Sequence, residues 1–462
     1  MSGGTGNLMF LLVLWVLAAL GTITFRSLSG QRESGLVWAY MANLWLLHWP
    51  AAFIYTLPWY SRIEYPTVHA GFVQTVFGIF AFGVGAALIA PTVVKILEPP
   101  GADKADAAGV RPDALLPRTY LLVGIVSYAI LGPLLGNIPT ISALAVAATQ
   151  LIIVGICLRC WHGWFTRNRW LFYSALLVTA LVPFATVLGQ GFLGYGAAAV
   201  ITVLCFTGSF IKPRWKVAVA AVFVAYLGFS GYVTYMRDRG EIRRVVWGGE
   251  SVTNRFTSVL GTVKKTELFD PNNPEHLARI DARLNQNLLV GASVQMLESG
   301  ARDFAKGETV LQALISLVPR ALWPDKPVYA GSPGIVTKYT GISFAEFTSV
   351  GIGQVMEFYV NFGTAGVIVG FLILGALVGM FDTWAAQRLW VGDWMQFAVW
   401  FLAGIGFIQA GGSLVEVVST VGAGMLAAVL VNRHLVPMIH RWRADAAAVP
   451  TSFPTQGFDR GA

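Results

Sequence analysis

The sequence has little charge. Charged residues make up only 12% of its 462 residues, roughly half of the share found in ordinary soluble domains. This shortage argues against a soluble cytosolic enzyme. The 55% of hydrophobic residues exclude a disordered chain, which needs low hydrophobicity and high charge. Glycine is frequent, at 50 residues, but it shows no period of three, so a collagen-like chain is excluded as well.

Cysteine is also scarce, and the three that occur lie in or beside apolar runs. They provide no disulfide framework for an extracellular domain. Cys157 and Cys160 form a CxxC pair followed by His162, but a haem or zinc site needs more ligands or another spacing. Buried thiols packed within a helix are therefore the favoured interpretation. His48, midway along an apolar run, is interpreted as a hydrogen-bonded core histidine, with a proton carrier as the alternative.

The sequence is rich in uninterrupted apolar runs. Each is long enough to cross ~30 Å of hydrocarbon at ~1.5 Å per residue. We therefore predict an all-α polytopic membrane protein with about 11 transmembrane helices, whereas a β-barrel would show alternating segments of ~10 residues. The predicted spans are Asn7–Phe25, Gly35–Leu57, Ala70–Val94, Thr119–Leu135, Thr140–Arg159, Trp170–Leu188, Phe192–Ile211, Val217–Tyr235, Met356–Phe381, Met395–Gly412 and Val417–Val431.

The basic residues of the short connections indicate the orientation of the chain. Nearly all of them fall in connections on one side of the predicted spans, and Arg62 is the exception. Under the positive-inside rule this places the N-terminus outside and the C-terminus in the cytoplasm. Because positive charge follows the first span and does not precede it, we expect no cleaved signal peptide.

Four regions are expected along the chain. Residues 1–236 form an N-terminal membrane bundle of about 8 spans, and 350–443 form about 3 closing membrane helices. Between them, 237–349 is expected to be one large extracytoplasmic, partly helical domain, because a structureless loop of this length is uncommon. Residues 444–462 are expected to be a flexible cytoplasmic tail.

The outer region contains a clear helix start. Asn273 can cap a helix, and Pro274 suits its first position. We predict a helix from there to about Leu297, with Arg279 and Arg283 on a stripe beside its apolar face. Two interpretations of this stripe remain open. A solvated polar face is favoured, and a row of donors for an anionic ligand is the alternative.

A second helix, Thr309–Val318, is predicted to lie at the membrane surface. It is followed by Pro319–Pro327, in which three prolines stiffen the backbone that presents Arg320, Trp323 and Lys326. Arginine offers phosphate a planar fork, and lysine offers it a point charge. A pyrophosphate or glycan contact is the favoured interpretation. The alternative is a rigid connection with ordinary interfacial anchors, since tryptophan is common at headgroup level.

Two glutamates near the outer surface are candidates for catalysis. Ser343–Glu346 matches a capping box, which is the simpler explanation for Glu346. Glu357 enters the ninth span and shares one helical face with Gln354 and Asn361. A carboxylate that enters the membrane is costly and suggests a functional role. The alternative is that Glu357 snorkels or pairs with an arginine of the outer region.

Two segments resemble a known family. Pro319–Pro327, followed by Gly353–Gly363 and Gly366, resembles the C-terminal half of oligosaccharide repeat-unit polymerases of the O-antigen polymerase (Wzy) type. Those proteins have many spans and a large extracytoplasmic loop before the last few helices, which is the order expected here. No motif of the first eight spans matches the family.

The resemblance implies that a glycan is transferred from undecaprenyl diphosphate to a second lipid-linked repeat unit. This transfer would occur at the outer face of the bacterial inner membrane, in a multi-pass protein. Cations would stabilise the diphosphate leaving group, and a base would accept the proton of the acceptor hydroxyl. Glu357 is the first candidate for the base and Glu346 the second. The candidate substrate-binding residues are Arg320, Lys326, Arg279, Arg283, Arg255, Trp323, Tyr359 and Asn361.

Three alternatives remain open: a lipid-linked glycan ligase, a flippase or transporter of lipid-linked oligosaccharide, and a non-catalytic scaffold. The expected partners are the lipid-linked oligosaccharide, membrane lipid and other polysaccharide export proteins, with no nucleic acid. We expect no cofactor and no metal, because neither an Asp-x-Asp pair in the outer region nor a glycine-rich phosphate loop stands out.

Overall fold

The computed structural model describes residues 2–61, 63–97, 113–136, 138–212, 214–318, 320, 322–323, 325–327, 332–344 and 350–448. Within these ranges every element is helical. The helices are α1 (Ser2–Leu28), α2 (Leu36–Ile54), α3 (Tyr65–Leu97), α4 (Leu116–Leu135), α5 (Pro139–Thr149), α6 (Leu151–Phe165), α7 (Arg169–Gln190), α8 (Gly194–Phe210), α9 (Arg214–Trp247), α10 (Val252–Lys264), α11 (Pro274–Leu284), α12 (Gln286–Glu298), α13 (Glu308–Ser316), α14 (Ser332–Thr340), α15 (Gln354–Val391), α16 (Trp394–Phe407), α17 (Leu414–Leu430) and α18 (Val436–Ala448).

Eight stretches of described helix are long and apolar enough to cross a membrane. They are Gly6–Leu28, Tyr65–Leu97, Leu116–Leu135, Thr140–Phe165, Arg169–Gln190, Arg214–Trp247, Gln354–Val391 and Leu414–Trp442. Two predicted spans correspond to the shorter apolar helices α8 and α16. A third corresponds to α2, whose polar Asn43 and His48 lower its hydropathy. The chain is therefore a helical, polytopic membrane protein, and the number of eleven spans stays a prediction.

The centre of the bundle is formed by α3, which packs against α1, α12 and α15. Small residues allow the closest of these contacts. A side chain at Gly375 would collide with the backbone of Phe82, and one at Gly379 would collide with Ala86 and Ala90. Backbones that approach so closely gain the van der Waals packing that drives helix association in lipid.

A charged network joins α1, α2 and α15 at the end of the bundle that the charge pattern assigns to the cytoplasm. Arg26 is fully buried and donates to Asp382 at 2.6 Å and to Glu33 at 3.4 Å. The other oxygen of Asp382 accepts the backbone N–H groups of Ser34 and Leu36 at 3.0 Å and 2.8 Å. Asp382 thus supplies the acceptor that the uncapped start of α2 lacks. No pattern in the sequence indicated this network, because Arg26 and Asp382 lie far apart along the chain.

Helix α9 continues without interruption from the membrane into the outer region. It runs to Trp247, past the predicted end of the eighth span at Tyr235 and past the predicted domain boundary after residue 236. The residues after Tyr235 extend the helix beyond its apolar part, by ~1.5 Å for each residue. Residues 237–247 are therefore a direct continuation of a membrane helix.

The predicted helix from Pro274 to about Leu297 is in fact two helices, and that prediction was wrong in this respect. Its start is confirmed, because the side chain of Asn273 accepts the backbone N–H of Glu275. The chain breaks at Asn285, which has φ −106° and ψ 75°. Helices α11 and α12 pack on neighbouring parts of the bundle, α11 against α2 and α12 against α3. They form a helical hairpin (residues 274–298) with Asn285 in its turn.

The tip of this hairpin reaches into the membrane bundle. Asn287 is fully buried, and its side-chain oxygen lies 2.7 Å from Nδ1 of His48 while its amide donates to the carbonyl of His48 at 2.7 Å. Thr75, ten residues into α3, lies 3.1 Å from the same ring nitrogen. This depth is ~15 Å along α3. The prediction that His48 is a hydrogen-bonded core histidine is confirmed. The tip of the hairpin is buried between α2 and α3.

Candidate functional site

Three arginines come together where α9 leaves the bundle and passes beside α11. Arg239 and Arg243 are four residues apart, so they share one face of α9, and Arg283 faces them from α11. The three are close enough to act on one another electrostatically. Tyr232 and Tyr235 lie on the same side of α9 and interact with Arg283. We refer to Arg239, Arg243 and Arg283 as the arginine cluster.

No carboxylate among the described residues forms an ion pair with the arginine cluster. The nearby acids are bound to other arginines: Asp238 to Arg237, and Glu241 to Arg244. Like charges at this spacing repel. Partial burial, followed by the positive charge of Arg239, lowers the pKa of Arg283. The guanidinium stays charged at neutral pH, since arginine does not lose its proton in proteins.

Such a cluster can bind an anion with several oxygens. Each guanidinium can donate two parallel hydrogen bonds to phosphate. The hydroxyl of Tyr232 is buried and has no hydrogen-bond partner in the described structure, so it offers one more donor beside the arginines. A bound anion would offset the repulsion among the three arginines and would accept a hydrogen bond from the hydroxyl of Tyr232. The arrangement therefore fits a phosphate or diphosphate group at the outer end of α9.

Glu357 lies in a different part of the molecule and is fully buried, with 0% of its surface exposed. One carboxylate oxygen accepts the backbone N–H of Leu414 at 2.7 Å. The other has no hydrogen bond of normal geometry among the described atoms, and the side chain of Thr309 lies beside this carboxylate. The contacts of Glu357 share no residue with those of Arg283. The structure thus keeps the first candidate base apart from the arginine cluster.

Asn361 and Tyr359 bind the same part of α15 to the start of α13 and to the end of α12. Asn361 donates to the hydroxyl of Thr309 at 2.7 Å and accepts the backbone N–H of Gly307 at 2.9 Å. The hydroxyl of Tyr359 donates to Glu298 at 3.1 Å. The side-chain polar atoms of Asn361 and Tyr359, which were predicted to contact substrate, are therefore used in hydrogen bonds within the protein. In this conformation both residues stabilise the contact between helices.

The cations after α13 are partly engaged by the protein. The predicted helix is present, with its end at Ser316 and not at Val318. Its place at the membrane surface stays a prediction. Lys326 donates to the carbonyls of Ser316 and Val318 at 3.1 Å and 2.8 Å, and so caps α13. Partial burial, and then the charge of Arg320, lowers the pKa of Lys326. Trp323 is exposed. This segment therefore presents a second cationic surface.

The remaining candidates are spread over the outer region. Arg279 pairs with Glu275 at 3.1 Å and Glu267 at 3.4 Å, and Arg255 donates to the carbonyl of Glu250 at 2.9 Å. Glu346 lies outside the described residues. In the part of the chain that the structure describes, no group of three His, Cys, Asp or Glu residues could hold a metal ion.

Of the arginine cluster, only Arg283 was predicted from the sequence. Arg239 and Arg243 are four residues apart, a spacing that places both on one face of a helix. This pattern has meaning only if the helix continues past Tyr235, where the apolar run and the predicted eighth span end.

A family model described as Domain of unknown function (DUF8712) matches residues 112–438. The match covers more than two thirds of the chain, and the chain therefore belongs to this family. No curated protein and no solved structure matches it.

Proposed function

We propose that this member of the DUF8712 family transfers a glycan from a polyprenyl diphosphate carrier to a second lipid-linked repeat unit, as a polysaccharide polymerase. The observation that carries the proposal is the arginine cluster, three guanidinium groups without carboxylate partners among the described residues. A diphosphate between a lipid tail and a glycan is an anion that belongs at this place, because its tail needs the membrane and its charge needs cations at the outer surface.

In the proposed reaction the acceptor hydroxyl oxygen attacks the anomeric carbon of the donor sugar. The bond between that carbon and the phosphate oxygen breaks, and the polyprenyl diphosphate leaves with the electron pair. Negative charge grows on the phosphate in the transition state, where preorganised cations stabilise it most. Arg239, Arg243 and Arg283 are proposed to do so. Arg320 and Lys326, with Trp323, are proposed to contact the second lipid-linked unit.

Glu357 is proposed as the base for the acceptor hydroxyl, with Glu346 as the second candidate, and this role requires a substrate complex in which Glu357 and the arginine cluster lie close enough to act on the same donor sugar. One oxygen of Glu357 has no hydrogen bond of normal geometry in the described structure, and it can accept a proton once the neighbouring Thr309 moves away. Its burial requires that the start of α17 or α13 moves aside before an acceptor can reach it.

The proposed location is the bacterial inner membrane, with the arginine cluster on the outer side and the C-terminus in the cytoplasm. The distribution of Lys and Arg over the short connections supports this orientation. Repeat units flipped to the outer leaflet would then reach the cluster directly. Other polysaccharide export proteins are proposed partners, because they would supply the units and remove the polymer.

The arginine cluster can be tested in a strain that depends on this protein for its surface polysaccharide. Arg239→Ala, Arg243→Ala and Arg283→Ala are each expected to lower polymer yield and to accumulate single lipid-linked units. Each removed charge-assisted contact is expected to cost ~1.5–3 kcal/mol, or ~10- to 100-fold in rate. Gel profiles of the polysaccharide measure both effects.

Arg244→Ala is the matched control, since Arg244 lies on the same helix, is exposed and pairs with Glu241. It should leave the polymer profile unchanged. A normal profile in all three cluster variants would contradict the proposal. An equal loss of polymer in Arg244→Ala would also contradict it, because removal of any arginine from this helix would then lower the yield.

A flippase is the second candidate, and two features favour it. Helix α15 is interrupted by non-helical residues at Phe362 and Gly363, and the turn of the hairpin of residues 274–298 is buried among the helices of the bundle. Broken helices and irregular backbone within the membrane are common at transporter sites. A flippase variant would hold its units on the inner leaflet, whereas a polymerase variant would hold them on the outer leaflet. A ligase would instead leave polymer formed but unattached.

A further inference from the structure

Aromatic rings lie directly against the arginine cluster. The Cζ atom of Arg243 is 4.6 Å from the ring centroid of Phe192 and 4.9 Å from that of Trp247. The rings of Phe192 and Trp247 are 5.8 Å apart, and Tyr195 meets Phe192 edge-on at 6.4 Å. We refer to Phe192, Tyr195 and Trp247 as the aromatic shelf. Trp247 is 54% exposed and Tyr195 is 67% exposed.

The protein holds the shelf in place through the turn between α7 and α8. Gly191 has a positive φ of 73°, which glycine adopts without strain. Its carbonyl accepts the hydroxyl of Tyr235 at 2.7 Å, and the indole N–H of Trp247 donates to the carbonyl of Gln190 at 3.1 Å. The polar edge of Trp247 is therefore bound within the protein, and the guanidinium of Arg243 lies over its ring. The fixed ring is still about half exposed, so a sugar can pack against the part that Arg243 does not cover.

We propose that the aromatic shelf is a sugar subsite that binds the pyranose ring attached to the diphosphate of the donor. This inference rests on the proposed function. The C–H groups on one face of a pyranose are weakly positive and pack on the negative face of an aromatic ring. Because the first sugar is joined directly to the phosphate, a diphosphate bound to Arg243 brings that sugar beside the exposed parts of Trp247 and Tyr195.

Tryptophan is also common at the membrane surface as an anchor, so the two roles must be separated. Trp59 provides the comparison. It is 52% exposed, and its indole N–H also donates to a backbone carbonyl, that of Pro271, at 3.3 Å. No cation–π contact with an arginine is recorded for Trp59 among the described residues. A role as an anchor would give Trp59→Ala and Trp247→Ala the same effect.

The experiment compares two probes on the full-length protein in detergent micelles. One is undecaprenyl diphosphate, and the other is undecaprenyl diphosphate carrying a single N-acetylglucosamine. The readout is the ratio of their dissociation constants. The wild type is expected to prefer the sugar-bearing probe by about fivefold, a factor typical of one aromatic contact. Trp247→Ala and Tyr195→Ala should reduce this preference, and Trp59→Ala should keep it.

Arg283→Ala should weaken both probes and leave their ratio intact. Equal binding of the two probes to the wild type, or an unchanged ratio in Trp247→Ala and Tyr195→Ala, would overturn the sugar subsite alone. Failure of the wild type to bind either probe would overturn the proposed function together with the subsite.

Discussion

At the scale of single residues, buried polar groups are the features that matter most. A buried donor without a partner costs ~1–3 kcal/mol. The effect of replacing a buried polar side chain therefore depends on which donors and acceptors of its neighbours lose their partner. Glu357 is the sharpest case. It satisfies the N–H of Leu414 at the start of α17, yet one of its oxygens has no hydrogen bond of normal geometry in the described structure. A structural and a chemical role are therefore both present in one carboxylate.

Replacing Glu357 separates these roles. Glu357→Gln keeps an oxygen that can accept the N–H of Leu414, so we expect a folded protein of near-normal stability. If Glu357 is the base, its polymer yield should fall by ~100-fold or more. Glu357→Ala leaves the N–H unpaired and should lower the free energy of unfolding by ~1–3 kcal/mol. Thermal unfolding and polysaccharide gels measure the two effects.

Glu416→Gln is the control for this pair. Glu416 accepts the backbone N–H of Ser413 in the capping box of α17, and glutamine fills the same role. This variant should keep both stability and polymer yield. A normal yield in Glu357→Gln would remove Glu357 from the proposed mechanism.

At the scale of elements, the sequence specifies how helices begin better than where they break. The start of α11 follows from Asn273 and Pro274 and could be predicted. The break at Asn285 could not, because apolar residues continue at helical spacing on both sides of it, at Ile280, Leu284 and Leu288. The break is fixed by distant contacts, chiefly Asn287 with His48 and Thr75.

The hairpin should depend on Asn287. Asn287→Ala removes two buried hydrogen bonds to His48, and we expect a loss of ~1–3 kcal/mol or more in the free energy of unfolding. The loosened hairpin should also be cut faster by trypsin at Arg279 and Arg283. Time courses of limited proteolysis in detergent measure this. Asn272→Ala, at an exposed position before α11, should be cut at the wild-type rate, and equal rates for the two variants would show that the tip is not held by Asn287.

At the scale of the whole molecule, two polar assemblies lie at opposite ends of an apolar bundle. The network of Arg26, Glu33 and Asp382 pairs its charges internally. The arginine cluster has no such pairing among the described residues, which distinguishes a structural assembly from one suited to a ligand. Composition predicted the helical membrane class. It could not predict either assembly, because each joins residues that are far apart along the chain.

The proposal requires the arginine cluster to face outward, and single cysteines can test this. Ser299→Cys, next to the hairpin, should react with a membrane-impermeant maleimide in intact spheroplasts. Arg169→Cys, in a connection assigned to the cytoplasm, should react only after the membrane is permeabilised. Both positions are exposed, whereas the native Cys157 and Cys160 are buried and Cys205 is partly buried, so their background labelling should be slow. Because every donor unit is assumed to arrive at the outer surface, the opposite labelling pattern would place the cluster on the wrong side for polymerisation.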